Sequence, residues 1–140
     1  MSGSALGEAL EDVLVGASAF DEINVSRCDY GIMEYSGCAL VITPGGMTAD
    51  RHAYGGTWMC TWTLDVEGYV KVIGDPLDAL YRTWTLIDEV VGAVSACQNL
   101  GTSACSAIVS NVERPRNTLA EMYGQDWVPV YFTITAQEVI

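Results

Sequence analysis

Apolar residues return along this chain with two different periods. From Ser4 to Gly16, Leu6, Leu10, Val13 and Leu14 recur every three or four positions with Ala9 among them, while Glu8, Glu11 and Asp12 fall elsewhere on the wheel. That pattern predicts an amphipathic helix, with Ser4 as its N-cap and Gly16 at its end. From Thr57 to Val66 the period drops to two. Trp58, Cys60, Trp62, Leu64 and Val66 share one face, and Thr57, Met59, Thr61, Thr63 and Asp65 share the other. This predicts a strand with one buried face. The helical period comes back from Pro76 to Cys97. Asp75 suits the N-cap, Pro76 the first helical position, and Asp78 the positive end of the helix dipole. Leu77, Leu80, Tyr81, Trp84, Ile87, Val91 and Val94 form the stripe expected to pack inward, which puts Trp84 in the core. Asp78 and Arg82 are spaced as an i,i+4 ion pair on the wet side.

Shorter signals fill the gaps. Glu22 to Cys28 reads as an extended segment. Cys38 to Thr43 is an apolar strand, which Pro44-Gly45-Gly46 is expected to end in a turn. The polar stretch Met47 to Gly56 then reads as a mobile loop between two strands. Ala104 to Val112 and Trp127 to Ala136 alternate as two further strands. Pro129, lacking an N–H, assigns the last one to an edge or to a bulge. The expected fold is α+β: a mixed or antiparallel sheet of about five strands packed against two amphipathic helices, in the order α-β-β-β-α-β-β. There is no internal repeat or low-complexity linker, so residues 1–140 are expected to form one domain.

Charge narrows the function. The chain has 18 Asp and Glu against six Lys and Arg, for a net charge of −12. The cations Arg27, Arg51, Lys71, Arg82, Arg114 and Arg116 are scattered singly, whereas gripping nucleic acid takes clustered ones. The acidity suits either repulsion of a polyanion or plain solubility. No apolar run is long enough to span a bilayer, and MSGSALGEAL has no basic residue ahead of its apolar stretch. A soluble product made in the cytoplasm, without membrane contact, is the expectation.

A search for chemistry yields little. The five cysteines are an odd number without a C-x-x-C pair, so they are read mainly as small buried hydrophobes rather than disulfides or zinc ligands. His52 is the single histidine, in the polar stretch Asp50-Arg51-His52, and is read as solvated rather than as a catalytic base. Asp21 with Glu22 and Asp88 with Glu89 are read as surface carboxylates. Pro44-Gly45-Gly46 lacks the spacing and lysine of a phosphate loop. No catalytic residue, metal site or cofactor is expected. Trp58 and Trp62 share a strand face and read as core. Trp127, near Gly124 and Pro129, is expected to be exposed at an edge, where an aromatic favours a protein interface.

The chain resembles the tail terminator, or tail completion, proteins of long-tailed bacteriophages. The resemblance rests on several segments in order. Cys38-Ala39-Leu40-Val41-Ile42 is followed by Thr43-Pro44-Gly45-Gly46, and the long strand Trp58 to Val66 comes after a polar stretch. The helix opening at Asp75-Pro76 contains Leu80-Tyr81-Arg82-Thr83-Trp84, and the final strand ends Thr133-Ile134-Thr135-Ala136-Gln137-Glu138. The resemblance covers nearly the whole chain in element order and implies a virion structural protein without enzymatic activity. Such proteins form a homo-oligomeric ring, typically a hexamer, on the finished tail tube. The ring ends polymerisation and docks the head connector, and DNA passes through its lumen without specific binding. Carried onto this chain, the candidate interface residues are Gly45, Gly46, Met47, Arg51, His52, Gly55, Arg114, Arg116 and Trp127. Three other readings stay open: a different connector component, such as a head-closure, neck or tail-tube subunit; a small-molecule binder using a helix–sheet pocket; and an acidic, DNA-mimicking regulatory protein.

Overall fold

The two periods resolve into two layers. The computed structural model describes residues 3–16, 23–28, 38–51, 58–72, 74–100, 105–114 and 127–139. They form α1 (Gly3–Gly16), β1 (Ile23–Arg27), β2 (Cys38–Arg51), β3 (Trp58–Lys71), α2 (Pro76–Ala96), β4 (Cys105–Glu113) and β5 (Trp127–Val139). The fold is α+β in the expected order. The five strands lie side by side as β1-β2-β3-β5-β4, with β1 parallel to β2 and every other pair antiparallel. Both helices lie on one face of this sheet. α1 packs on β1 and β2, α2 packs on β3, β5 and β4, and the helices touch each other.

Strict alternation decides which side chains meet the helices. Leu64, Val66 and Val70 of β3 pair with Ile134, Phe132 and Val128 of β5 across one face. Leu40 and Ile42 of β2 extend that face, and Leu6, Leu10 and Leu14 of α1 close over it. Gly68 sits beneath Leu86 of α2. A Cβ there would stand 2.8 Å from Val130 Cγ1 and 3.2 Å from both Leu86 Cδ2 and Phe132 Cε2. Only glycine leaves room for Leu86 and Phe132 to fill that spot.

α2 begins as its sequence predicts. Asp75 caps it, its carboxylate accepting from the Leu77 N–H at 3.0 Å, and Pro76 follows. Its buried face, however, is not the expected stripe. Ala79, Thr83, Leu86, Val90 and Val94 are buried, with Leu80, Ile87 and Ala93 beside them, while Leu77, Tyr81, Trp84 and Val91 are exposed. The helix is turned by roughly a quarter turn from the sequence expectation, at about 100° per residue. Small residues explain it, because Ala79 and Thr83 let the helix axis approach the sheet. Buried Thr83 satisfies its hydroxyl by donating to the Ala79 carbonyl at 2.8 Å. Arg82 does not pair with Asp78 but donates from Nη2 to Cys38 Sγ at 3.3 Å, tying this side of α2 to β2.

Three further expectations need correction. Pro44-Gly45-Gly46 does not end a strand: β2 runs through to Arg51. Pro44 pairs with Leu64 and Met47 with Trp62, so Gly45 and Gly46 together oppose Thr63 as a bulge. A Cβ on Gly45 would stand 2.5 Å from the Thr63 carbonyl oxygen, whereas one on Gly46 would meet nothing. The residues from Met47 to Arg51 are therefore strand, and the remainder of the expected loop lies outside the described residues. Pro129 is in an interior strand, between β3 and β4. The β4 pairing ends at Tyr131, though, so Pro129 occupies a stretch where β5 has no outer partner among the described residues. Finally, Ser4 lies inside α1 rather than capping it, because the helix starts at Gly3.

β4 carries its own bulge at Ser110, between Val109 and Asn111. Ser110 Oγ donates to the Thr133 carbonyl at 3.1 Å and accepts from Thr135 Oγ1 at 2.9 Å, so the extra residue is held by its side chain. No helix of the described residues is long and apolar enough to cross a membrane.

Candidate interaction surface

The turn of α2 that buries Thr83 lifts its larger neighbours out of the core. Trp84 is 69% exposed, Tyr81 70% and Leu77 43%, and Val91 continues the line. These residues recur at i, i+4, i+7 and i+14, so they form one ridge along the helix. Because Arg82 is held toward β2 by Cys38, the Trp84 side of the helix leans toward β4. There Leu80, Thr83, Trp84 and Ile87 of α2 face Val112 and Arg114 across a groove of about 290 Å³. Among the described residues Arg114 has no ion pair. β4 is the outermost strand on that side, and Ile108 stands 55% exposed on its other face.

The sheet face turned away from the helices has an acidic part beside the buried Ala39 and Val41. Asp65 and Glu67 of β3, Glu113 of β4, and Thr43, Tyr131 and Thr133 line a second groove there, of about 270 Å³. Thr43 Oγ1 donates to the Asp65 carbonyl at 3.3 Å, across the β2–β3 pair. Farther along this face Lys71 Nζ stands 5.8 Å from the centre of the Trp127 ring, a cation–π contact. A third hollow, of about 290 Å³ and mostly apolar, opens between the start of α1 and β2, with Arg27 and Cys28 at its border. Arg27 Nε is 3.2 Å from Glu11 Oε2, an exposed pair that contributes little to stability.

Of the residues singled out from sequence, those that are described do not gather at one place. Gly45, Gly46 and Met47 are exposed at the β2 bulge, and Arg51 ends that strand. Arg114 borders the α2 groove. Trp127 is half-buried under Lys71 rather than freely exposed. His52, Gly55 and Arg116 lie outside the described residues, as do Asp21 and Glu22. Trp62 is half-buried against Gly3 of α1, whose Cβ position would be 3.0 Å from the indole. Cys38 and Cys60 are buried as expected, but Cys28 is exposed and Cys97 half-buried. Of the carboxylates read as surface groups, Asp88 is exposed, whereas Glu89 is partly buried, and that desolvation pushes its carboxyl above the ordinary 4.5. The ridge of Leu77, Tyr81 and Trp84 was missed as a surface, because hydropathy alone places such residues inside. The available signal was the small pair Ala79 and Thr83, spaced to face the sheet instead.

No family model matches this sequence, and no curated protein matches it. Among solved structures the chain is similar to the sheath/tube terminator of an extracellular contractile injection system, PVC, in its extended state, at 12% identity and a TM-score of 0.45. The match covers 100% of this chain and 57% of that one, so the chain spans just over half the neighbour's length. A likeness at this level does not fix function.

Proposed function

We propose that this chain is a structural subunit of a phage-like tail. Copies of it close a ring, hexameric as in the family its sequence resembles, that caps the tail tube and ends its polymerisation. The other side of the ring docks the head connector. The observation that carries this reading is the ridge of Leu77, Tyr81 and Trp84 on a helix whose opposite side is fixed in the core. Aromatic side chains left in water beside one another are the chemistry of a protein contact, not of a reaction centre.

Two further features support it. The element order is the one that the resemblance implies. The far sheet face brings Asp65, Glu67 and Glu113 together in a molecule of net charge −12, which suits a lumen that passes DNA without holding it. On this reading residues 1–140 act as one domain in the neck region of a virion, after synthesis in the host cytoplasm. The partners are further copies, the tail-tube protein and the head-connector protein. The β2–β3 arm, with Gly45, Gly46, Met47 and Arg51, is the part with the reach to touch an adjacent ring.

Negative-stain microscopy with native mass, on the protein alone and mixed with tail tubes, tests this. Rings of one size seated on tube ends and never growing are the expected result. Growth into tubes would instead make the chain a tube subunit, and indifference to tubes would sink the tail role.

A further inference from the structure

The helix layer has two unlike flanks. On the β4 side is the apolar ridge and its groove, bordered by Arg114. On the β1 side, α1 turns Glu8, Asp12 and Val15 outward, with Val15 61% exposed and Glu11 beside them bound to Arg27. Glu8, Asp12 and Val15 stand at i, i+4 and i+7, so they too form one ridge. One flank is apolar with a cation, and the other is acidic with one apolar side chain.

We infer that the α2–β4 groove is the docking site for α1 of a second copy, resting on the ring-forming reading above. Charge complementarity selects that occupant. Lys71 stands over Trp127, Arg82 binds Cys38 and Arg27 binds Glu11, whereas Arg114 at the border of the groove is exposed and has no ion pair among the described residues, so it can receive a carboxylate from outside. Val15 of the second copy meets Tyr81 and Trp84 while Glu8 or Asp12 reaches Arg114. An isologous α2–α2 contact, with Asp88 of the same ridge reaching Arg114, is the alternative that the α1 variant below excludes, because it would leave that variant assembling like wild type. The two surfaces lie on opposite flanks of the same layer, with α1 over β1 and β2 and α2 over β3, β5 and β4. The contact is therefore head-to-tail, and each copy that docks presents a fresh groove on its far side.

The test uses two full-length variants. One carries Trp84→Glu with Arg114→Glu, which spoils the groove. The other carries Glu8→Ser with Val15→Asp, which spoils the α1 ridge without offering a cation to the acidic groove of the first variant. All four residues are exposed, so both should fold, and circular dichroism checks this. Wild type is expected to self-associate by sedimentation and native mass, and each variant alone to lose that association by roughly tenfold or more, the effect of removing a central anchor. Mixed together, the two variants should form a one-to-one dimer that grows no further, because each retains the surface the other lacks. Wild type that remains monomeric at every concentration, an α1 variant that assembles like wild type, or a mixture that stays monomeric would each overturn the inference. Tube capping by both variants at the wild-type level would sink this contact and leave the tail role standing. Wild type that pairs in this way yet ignores tubes would do the reverse.

Discussion

Single atoms decide more here than residue type does. Gly68 and Gly45 are both strand glycines with no positive φ, and both are required by close approach rather than by backbone freedom. Replacing Gly68 by alanine forces its new methyl against Val130, Leu86 and Phe132. A loss of about 1–3 kcal/mol in urea unfolding is expected. Gly45→Ala should cost a similar amount because the obstacle is the Thr63 carbonyl, which is backbone and cannot swing aside. Gly46→Ala, with open space around its Cβ, should change stability by less than about 0.5 kcal/mol and serves as the control. Glu89 gives a pH signature. Its carboxyl titrates above the ordinary 4.5 in the folded chain because burial disfavours the charged form. The folded state therefore holds the proton longer than the unfolded one, and Glu89 erodes stability as pH rises from 4.5 through its folded value. Glu89→Gln should flatten that slope and raise the melting temperature at neutral pH, with little change in strong acid; an unchanged profile would contradict the burial assignment.

At the scale of elements, β3 and β5 were legible because alternation leaves no freedom. Once Trp62, Leu64 and Val66 share a face, one register buries them and a slip of one residue exposes all of them. α2 was legible in extent, with its Asp75 cap and Pro76 start, but not in rotation. Its wheel is apolar over more than half its circumference, so hydropathy cannot choose between a stripe centred on Trp84 and one centred on Leu86. The choice is made by the fit of Ala79 and Thr83 against the sheet and by Gly68 beneath Leu86, which are long-range contacts. Likewise the β2 bulge depends on Thr63, a strand away, and Pro-Gly-Gly read alone spells a turn. The rotation makes an opposed pair of predictions. Leu86→Ala should cost about 2–5 kcal/mol, as burial of a large aliphatic side chain requires. Trp84→Ser should cost less than about 0.5 kcal/mol in spite of the larger side chain removed. Thermal unfolding of the two variants side by side distinguishes this helix orientation from the one hydropathy suggests.

For the whole molecule, the sequence gives sign and class more readily than place. The net charge of −12 is plain from composition, but that Asp65, Glu67 and Glu113 share the far sheet face follows from strand register. The described candidates Gly45, Gly46, Met47, Arg114 and Trp127 are dispersed, while the exposed apolar ridge lies on the helix expected to face inward. The bulge at Gly45 and Gly46 has a consequence at this scale. Before it, Cys38, Leu40 and Ile42 point to the helices, and after it Met47 pairs with Trp62 on that same side. Even-numbered residues face one way up to the bulge and odd-numbered residues do so beyond it. The two glycines thus act as a change of phase in a binary code, so that one strand can write a core in one half and an independent surface in the other. Deleting Gly46 would restore a single phase. It would leave the pattern from Cys38 to Pro44 intact and set Gly45 alone opposite Thr63, with Met47 still opposite Trp62 on the helix side, so the strand would lose its bulge and its local bend but not its facing.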